Sequence, residues 1–397
     1  MMNNYEKVKN KKNFLTMLMM IVFFVTNISY MPFFTTLGLT QYLSYPIWGG
    51  LILALIINRG LFLSDRDKNL IFYIFSVSII MMLLEVGTGK VYISSLLTRC
   101  IMIALFISFI GEMVSRTGKT HGREKKFFLA YIIATVIVSI VVYFQYLRGQ
   151  DINSSLYVYG SKNELAFLMT SAIVMLLYMD QICDVPLGKI KNFGRGAIIL
   201  MLILILALMR CRQMLISTVV ILIFFLLQKT TSKYLKAMII LVGIAMIFAL
   251  QNEHLYTIVI NGILFAGREK GNLDSLSSGR IVQFKWAIEQ IFSNTFIGTG
   301  DTRTVDCFFI SVFMQYGIIL GCLIMVLSLV PLGYGISYYK KTKDPIALIL
   351  IFCHLSYVIG GLFEENAPYG PGVRCYVSWF LYGYLKMKES RGFAKLQ

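Results

Sequence analysis

The sequence has little charge, few histidines and no recognisable cysteine pattern. Only 14% of its 397 residues are charged, whereas 57% are hydrophobic. A soluble domain of this size could not bury so much apolar surface, so this composition excludes a set of soluble domains. The seven cysteines stand singly without a CxxC pair, and the three histidines are isolated. We therefore expect no disulfide framework, no metal site and no cofactor.

Acidic residues are also scarce, with 20 Asp and Glu against 37 Lys and Arg, which gives a net charge of +17. The basic residues stand in short linkers between apolar runs, as the positive-inside rule of membrane proteins predicts. Topology thus accounts for most of the excess, and we expect a lipid bilayer, and no nucleic acid, as a partner. Asp65 and Asp67 have a D-x-D spacing, but they fall in a predicted cytoplasmic linker and are interpreted as a solvated loop.

Long apolar runs recur along the chain, most of them near the roughly 20 residues that a transmembrane helix needs. They are continuous and do not alternate, which favours helices over a barrel. We predict an all-α polytopic membrane protein with about 12 transmembrane helices. The first run is interpreted as an uncleaved span and not as a signal peptide. The segments centre on residues 14–34, 42–63, 69–86, 91–111, 127–147, 162–180, 196–209, 213–228, 235–250, 305–330, 346–363 and 374–387.

Clusters of Lys and Arg mark alternate linkers, for example Lys7–Lys12, Arg116–Lys126 and Lys386–Lys395. By the positive-inside rule, both termini are expected in the cytoplasm and the protein in the cell membrane as a multi-pass protein. The one long linker then lies outside. The expected organisation is a membrane bundle over residues 1–250, an extracytoplasmic loop over 251–304, and membrane helices with a cytoplasmic tail over 305–397.

The long linker contains the amphipathic stretch "SSGRIVQFKWAIEQIF". Ser278 suits the N-cap of a helix, and Trp286 suits an interfacial position. Apolar residues follow at helical spacing, namely Ile281, Phe284, Ile288 and Ile291. We predict a helix from Ser278 to Phe292 near the outer interface.

Two arginines, Arg210 and Arg212, interrupt an apolar run in "ALMRCRQMLIS". The apolar stretches on either side, 197–209 and 213–228, are shorter than the roughly 20 residues of a full crossing. The turn is therefore expected below the outer interface, where a charge costs at least a few kcal/mol unless it faces protein or water. Snorkelling to the headgroups is one explanation. An anion site is the other, because arginine binds phosphate oxygens with two parallel bonds.

The arginine turn, followed by "SGRIVQFKWAIEQIFSNTFIGTGDTRTVDCFFISVFMQYGIILG", resembles the O-antigen polymerase and ligase superfamily. The resemblance covers roughly residues 155–330 and depends on the order of its features. The matching positions are Arg280, Trp286, Gly298, Gly300, Asp306, Gly317 and Gly321 in the loop, and Gly160, Asn163 and Ala166 in "YGSKNELAFLM". Ligase members carry a His-Asn-like pair where this chain has Val305–Asp306, which favours the polymerase side.

The resemblance implies transfer of a glycan from an undecaprenyl-diphosphate carrier to a hydroxyl of another lipid-linked repeat unit, without a metal. The departing diphosphate needs facing cations, and the acceptor hydroxyl needs a base. Asp306 is the first choice for the base or for orienting the acceptor, Glu364 and Glu365 are the second choice, and His254 is a minor candidate for the base. The implied catalytic residues are Arg212, Arg280 and Asp306, and the implied substrate-binding residues are Arg210, Asn163, Trp286, Glu364 and Glu365.

Two other functions stay open at this point, an O-antigen-type ligase and a lipid-linked oligosaccharide flippase. Transporters usually show internal repeat symmetry, which is not visible in this chain. The expected partners of the polymerase are the carrier-linked oligosaccharide and the bilayer. A chain-length regulator and a flippase are further candidates.

Overall fold

The computed structural model describes residues 2–59, 76, 96–116, 122–149, 159, 161–182, 189–228, 232–264, 277, 279–299, 305–365, 367–370 and 375–393. Regular structure in these residues is helical throughout, without a strand. The helices are α1 (Met2–Ile28), α2 (Pro32–Thr36), α3 (Thr40–Arg59), α4 (Leu96–Arg116), α5 (Arg123–Val142), α6 (Lys162–Ile182), α7 (Lys189–Leu208), α8 (Arg212–Leu227), α9 (Lys233–Ala249), α10 (Glu253–Tyr256), α11 (Arg280–Ser293), α12 (Phe308–Thr342), α13 (Pro345–Gly360) and α14 (Tyr376–Phe393). Two π-helical turns, Tyr143–Leu147 and Thr257–Leu264, continue α5 and α10.

Eleven of the twelve predicted apolar segments coincide with helices, and the segment 69–86 lies outside the described residues apart from Ser76. By length and composition, three helical stretches of the described chain can cross a membrane: Arg123–Leu147, Lys162–Ile182 and Phe308–Thr342. Five further apolar helices are shorter. The all-helical character of the described chain is therefore confirmed, and these helices are consistent with a membrane protein, while the count of twelve spans stays a prediction.

The first part of the predicted outer loop is helical and apolar. Helix α9 and residues Glu253–Ile260 together are long and apolar enough for one span, but they meet at an angle of 108°. Asn252 is the N-cap of α10. Its side chain accepts hydrogen bonds from the backbone N–H groups of His254 and Leu255 at 3.0 and 3.2 Å. Such an N-cap favours the beginning of a helix. A single loop was expected from residue 251 to 304, and this helical element was not predicted.

The described residues divide into two compact units, each treated by itself. The middle unit comprises residues 23–43 and 122–281, and the terminal unit comprises residues 1–22, 44–121 and 282–397. The domain boundaries expected at residues 250 and 304 stay predictions.

Helix α6 is the core of the middle unit, since every residue from Leu165 to Met179 is buried. Its polar contacts follow the rule that backbone and side-chain polar groups within a membrane bond inside the protein. Tyr131 on α5 donates its hydroxyl to the carbonyl oxygen of Leu168 at 3.3 Å. The Asn27 amide in turn donates to Thr135 Oγ1 at 2.8 Å. These bonds attach α5 to α6 and to the end of α1.

In the terminal unit, α4 and α14 pack with their backbones in contact. A Cβ atom added to Gly383 would collide with the backbone oxygen of Ser108, and one added to Gly111 would collide with that of Phe380. Small residues allow this close approach between membrane helices. The pairing fixes α14, which in turn holds the segment that follows α13.

Candidate functional site

Helices α6 and α8 of the middle unit run parallel and in register. Side-chain contacts along their length join them, among them Cys211 Sγ–H to Asn163 Oδ1 at 3.4 Å, the hydroxyl oxygens of Thr170 and Thr218 at 3.3 Å, and the ring centroids of Tyr178 and Phe225 at 5.7 Å. The partners are 48 residues apart in the first two contacts, and 47 (225 minus 178) in the third. Because this separation stays nearly constant, both helices begin at the same end of the unit.

The arginine turn connects α7 to α8 at that end. Arg210 adopts a left-handed backbone with φ of 54° and is only 5% exposed. Its backbone N–H donates to the carbonyl oxygen of Ala207 at 2.9 Å, which closes the turn after α7. A left-handed conformation costs a non-glycine residue about 1–2 kcal/mol, so the surrounding structure must hold Arg210 there. Arg212, half-buried, is the first residue of α8.

The apolar helices on both sides of the arginine turn are short. Helix α8 has 16 residues, a length of about 24 Å, whereas a bilayer core is about 30 Å thick. Helix α7 has 20 residues in all, because it begins at Lys189, but its apolar part, Asn192–Leu208, is shorter than a full crossing. Both apolar stretches are therefore short, as the sequence predicts.

The electrostatics at this end favour an anion. Each helix N-terminus carries about half a positive charge, and the bond between Asn163 and Cys211 joins the N-termini of α6 and α8. Arg212 adds a full positive charge at the start of α8, where the helix dipole is already positive, so an anion at this end is favoured further. Glu164 in the first turn of α6 offsets part of this charge. Backbone N–H groups and arginines at a helix start form a favourable setting for phosphate oxygens.

The predicted loop helix is present as α11, from Arg280 to Ser293. The predicted cap, Ser278, lies outside the described residues. The side chain of Ser277 instead accepts a hydrogen bond from the backbone N–H of Ile281 at 3.4 Å. Arg280 is the first residue of the helix and is half-buried.

Helix α11 packs on the segment that leads into α12. The buried residues of this contact are Ala287, Val305, Cys307 and Met314, with Phe284, Trp286, Ile291, Phe309 and Ile310 packed against them. Gln283, on the same helix, accepts a hydrogen bond through Oε1 from the backbone N–H of Asp306 at 3.1 Å. Asp306 is thus held two residues before α12, and Trp286 packs against the cluster beside it.

Helix α12 is broken at Gly317, which has φ of 71° and ψ of −175°. The backbone groups released by the break bond to the segment that follows α11. Met314 accepts at its carbonyl oxygen from the N–H of Thr299 at 2.8 Å, and Ile318 donates its N–H to the carbonyl oxygen of Thr295 at the same distance. Non-helical backbone in a membrane segment is tolerated where the protein supplies such partners.

Glu365 lies beside the first half of α12. Its Oε1 accepts from the Ser311 hydroxyl at 3.1 Å and from Gln315 Nε2 at 2.8 Å. Gln315 Nε2 also lies 3.1 Å from Ser311 Oγ, so the three polar atoms form a closed triangle. Ser311 is fully buried, and Glu365 is half-buried.

The segment that carries Glu364 and Glu365 is anchored on both sides. Before it, Gly361 accepts at its carbonyl oxygen from the N–H of Phe308 at 2.8 Å. After it, the Tyr369 hydroxyl donates to the carbonyl oxygen of Ile324 at 2.9 Å. The Trp379 indole donates to that of Pro368 at 3.2 Å. The two carboxylates are therefore held between α12, α13 and α14.

Burial raises the pKa of Glu365 above its ordinary value, and the nearby carboxylates of Asp306 and Glu364 raise it further. The hydrogen bonds from Ser311 and Gln315 act in the opposite direction, because they stabilise the charged form. The structure thus brings together three of the predicted site residues. A carboxylate with a raised pKa among others is a frequent feature of acid–base sites.

Sequence reasoning missed the partners that position these groups. Ser311 and Gln315 are polar residues four apart on an otherwise apolar helix, and that spacing was an available signal of a shared face. The bond from the Cys211 thiol to Asn163 was not predicted either. His254 is exposed in the first turn of α10. Gly160 and Gly300 lie outside the described residues.

Comparison with protein-family models and with curated proteins finds no match for this chain. The superfamily resemblance therefore rests on the residues named above.

Proposed function

We propose that this chain is a polysaccharide polymerase of the cytoplasmic membrane. It transfers a glycan from an undecaprenyl-diphosphate carrier onto a lipid-linked oligosaccharide repeat unit at the outer face. In this proposal about 12 helices cross the membrane, both termini are cytoplasmic, and most of residues 251–304 face outward. The reaction uses protein side chains without a metal.

The observation that carries the proposal is the arginine turn at the joined N-termini of α6 and α8. Glycosyl transfer from a lipid diphosphate breaks the bond between the anomeric carbon and a phosphate oxygen. Negative charge then grows on the diphosphate, and fixed positive groups facing it lower the barrier. Arg210 and Arg212, with the N–H groups of two helix starts, supply such groups. Arg280 contributes a further cation in this mechanism.

The carboxylates of the terminal unit supply the second chemical requirement, a proton acceptor for the incoming hydroxyl. Asp306 and Glu364 both lie within electrostatic range of Glu365. Asp306 either takes the proton or orients the acceptor sugar. Replacement of Asp306 by Asn should abolish polymer in the first case and reduce it in the second.

The test uses a strain that lacks the native copy and carries single variants, with glycan length measured on a gel. Arg212→Lys and Arg280→Lys keep the charge but lose the bidentate fork of arginine. Each should abolish most polymer while protein level and single repeat units stay normal. Arg148→Lys is the matched control, since Arg148 is exposed and predicted on the same side. Normal long polymer from the Arg212→Lys, Arg280→Lys double variant would refute the proposal.

A lipid-linked oligosaccharide flippase is the second candidate, and the break in α12 at Gly317 favours it. Transporters often form their sites at discontinuous membrane helices. The polymerase and the flippase can be distinguished by supplying repeat units directly on the outer side of proteoliposomes. A polymerase elongates them there, whereas a flippase leaves them as single units.

A further inference from the structure

The geometry around Glu365 distinguishes its two carboxylate oxygens. Both hydrogen bonds from α12 reach Oε1, one from Ser311 and one from Gln315. Within the described part of the chain, Oε2 receives none. Because Oε1 already has two donors on its lone pairs, a proton that neutralises the carboxylate resides on Oε2.

The triangle also fixes where Oε2 points. Ser311 and Gln315 lie one turn apart on a helix that is anchored by the Phe308–Gly361 bond. Gln315 Nε2 donates to both other atoms of the triangle, to Glu365 Oε1 at 2.8 Å and to Ser311 Oγ at 3.1 Å. A carboxylate held at one oxygen presents the other in a fixed direction. This is the arrangement that a general base needs.

We propose that Glu365 is the general base of this protein, acting through Oε2, and that Ser311 and Gln315 are its positioning residues. This inference rests on the proposed function and deepens it, since it assigns the proton acceptor that the sequence analysis sought first in Asp306. Asp306 then orients the acceptor sugar.

The proposed transfer forms one glycosidic bond and breaks one bond to phosphate. The acceptor hydroxyl of a lipid-linked repeat unit loses its proton to Oε2 of Glu365, and its oxygen bonds to the anomeric carbon of the donor glycan. The bond from that carbon to the phosphate oxygen breaks, and the carrier diphosphate leaves with the electron pair. Glu365 returns its proton to solvent before the next transfer.

The charged and polar groups that face Glu365 match this role. Asp306 and Glu364 repel its negative charge, and burial adds to that effect, so its pKa is raised. A base whose pKa approaches the working pH takes a proton more effectively than an ordinary carboxylate. The hydrogen bonds from Ser311 and Gln315 act in the opposite direction, because they stabilise the charged form.

The experiment uses the full-length protein in proteoliposomes, with repeat units on their carrier extracted from a strain that lacks this chain. Polymer formation is measured as a rate against pH. Glu365→Gln keeps the shape and the acceptor at Oε1 but removes the base, and should lower the rate by about 100-fold or more. Glu365→Asp should recover part of the rate. Glu289→Gln, at an exposed glutamate on α11, is the matched control and should stay within about twofold of the wild type.

A positioning role is tested by the acidic side of the pH profile. Activity falls as pH drops through the pKa of Glu365, because the base becomes protonated. Ser311→Ala removes a donor that stabilises the charged form, so the pKa of Glu365 rises and the acidic limb should move to higher pH. The residual activity of Glu365→Gln should lack this limb.

The outcomes separate the two proposals. If Arg212→Lys is inactive while Glu365→Gln polymerises normally, the polymerase proposal stands and the assignment of Glu365 is wrong. An inactive Glu365→Gln with an unmoved acidic limb in Ser311→Ala would show that Glu365 is structural, and would overturn the assignment. If the wild-type protein forms no polymer, the proposed function fails and the assignment fails with it.

Discussion

Gly298, in the segment after α11, and Gly317, at the break in α12, lie with their backbones in contact. A Cβ atom on Gly317 would stand 2.6 Å from the backbone nitrogen of Gly298, and both residues have positive φ, of 71° and 78°. No side chain fits between them. The contact holds the segment after α11 against α12, where Thr295 and Thr299 bond to the broken helix.

Gly298→Ala should therefore destabilise the terminal unit. The left-handed backbone alone costs alanine about 1–2 kcal/mol, and the collision with Gly317 adds to that. Gly333→Ala is the control, because Gly333 is helical with nothing within 4 Å of an added Cβ. Alanine at that position should be neutral or stabilising by up to about 1 kcal/mol. Melting temperatures of the two variants in detergent check this, and equal values would contradict the structural role of the pair.

Asn163→Asp should separate stability from activity at the arginine turn. An aspartate still accepts the Cys211 thiol bond, and its charge suits the N-terminus of α6. The melting temperature should hold or rise. The same charge beside the arginines should compete with the lipid diphosphate, so polymer should shorten or disappear. Asn252→Asp, at the exposed N-cap of α10, is the matched control and should leave glycan length unchanged. Full-length polymer from Asn163→Asp would argue against an anion site at this turn.

Removing only one partner of the ion pair between Glu112 and Lys386 should lower the stability of the protein. Glu112 is 1% exposed, and its carboxylate lies 3.0 Å from Lys386 Nζ and 3.8 Å from Arg116. Lys386→Met leaves a buried carboxylate without its nearer cation and should lower the free energy of unfolding by on the order of 3 kcal/mol. Adding Glu112→Gln should recover much of that loss, as measured by unfolding in mixed micelles. A double variant less stable than Lys386→Met would contradict this interpretation.

The predicted orientation can be checked by labelling. A cysteine placed at Asn272 in a variant without native cysteines should react with an impermeant reagent in intact cells. Position 272 lies outside the described residues, so this prediction follows from the charge pattern alone. A cysteine at Asn4 should react only after the cells are opened. Reaction at Asn4 and protection at 272 would reverse the topology.

The sequence by itself determined the long apolar helices, because their cause is local. A chain segment in lipid must satisfy its own backbone, so a continuous apolar run of sufficient length forms a helix whatever its neighbours are. The amphipathic period of the loop likewise predicted α11 to within two residues at its start and one at its end. The two arginines stood out for the same reason, as charges in an apolar run.

The tertiary structure decided which helix faces meet, and with them the site. Asn163 reaches Cys211 across 48 residues, and Glu365 reaches Ser311 across 54. Apolar runs of this kind have many equivalent faces, so hydrophobicity does not select among the possible pairings. Close glycine contacts and a few buried hydrogen bonds make the selection, and these depend on packing between segments far apart in the chain.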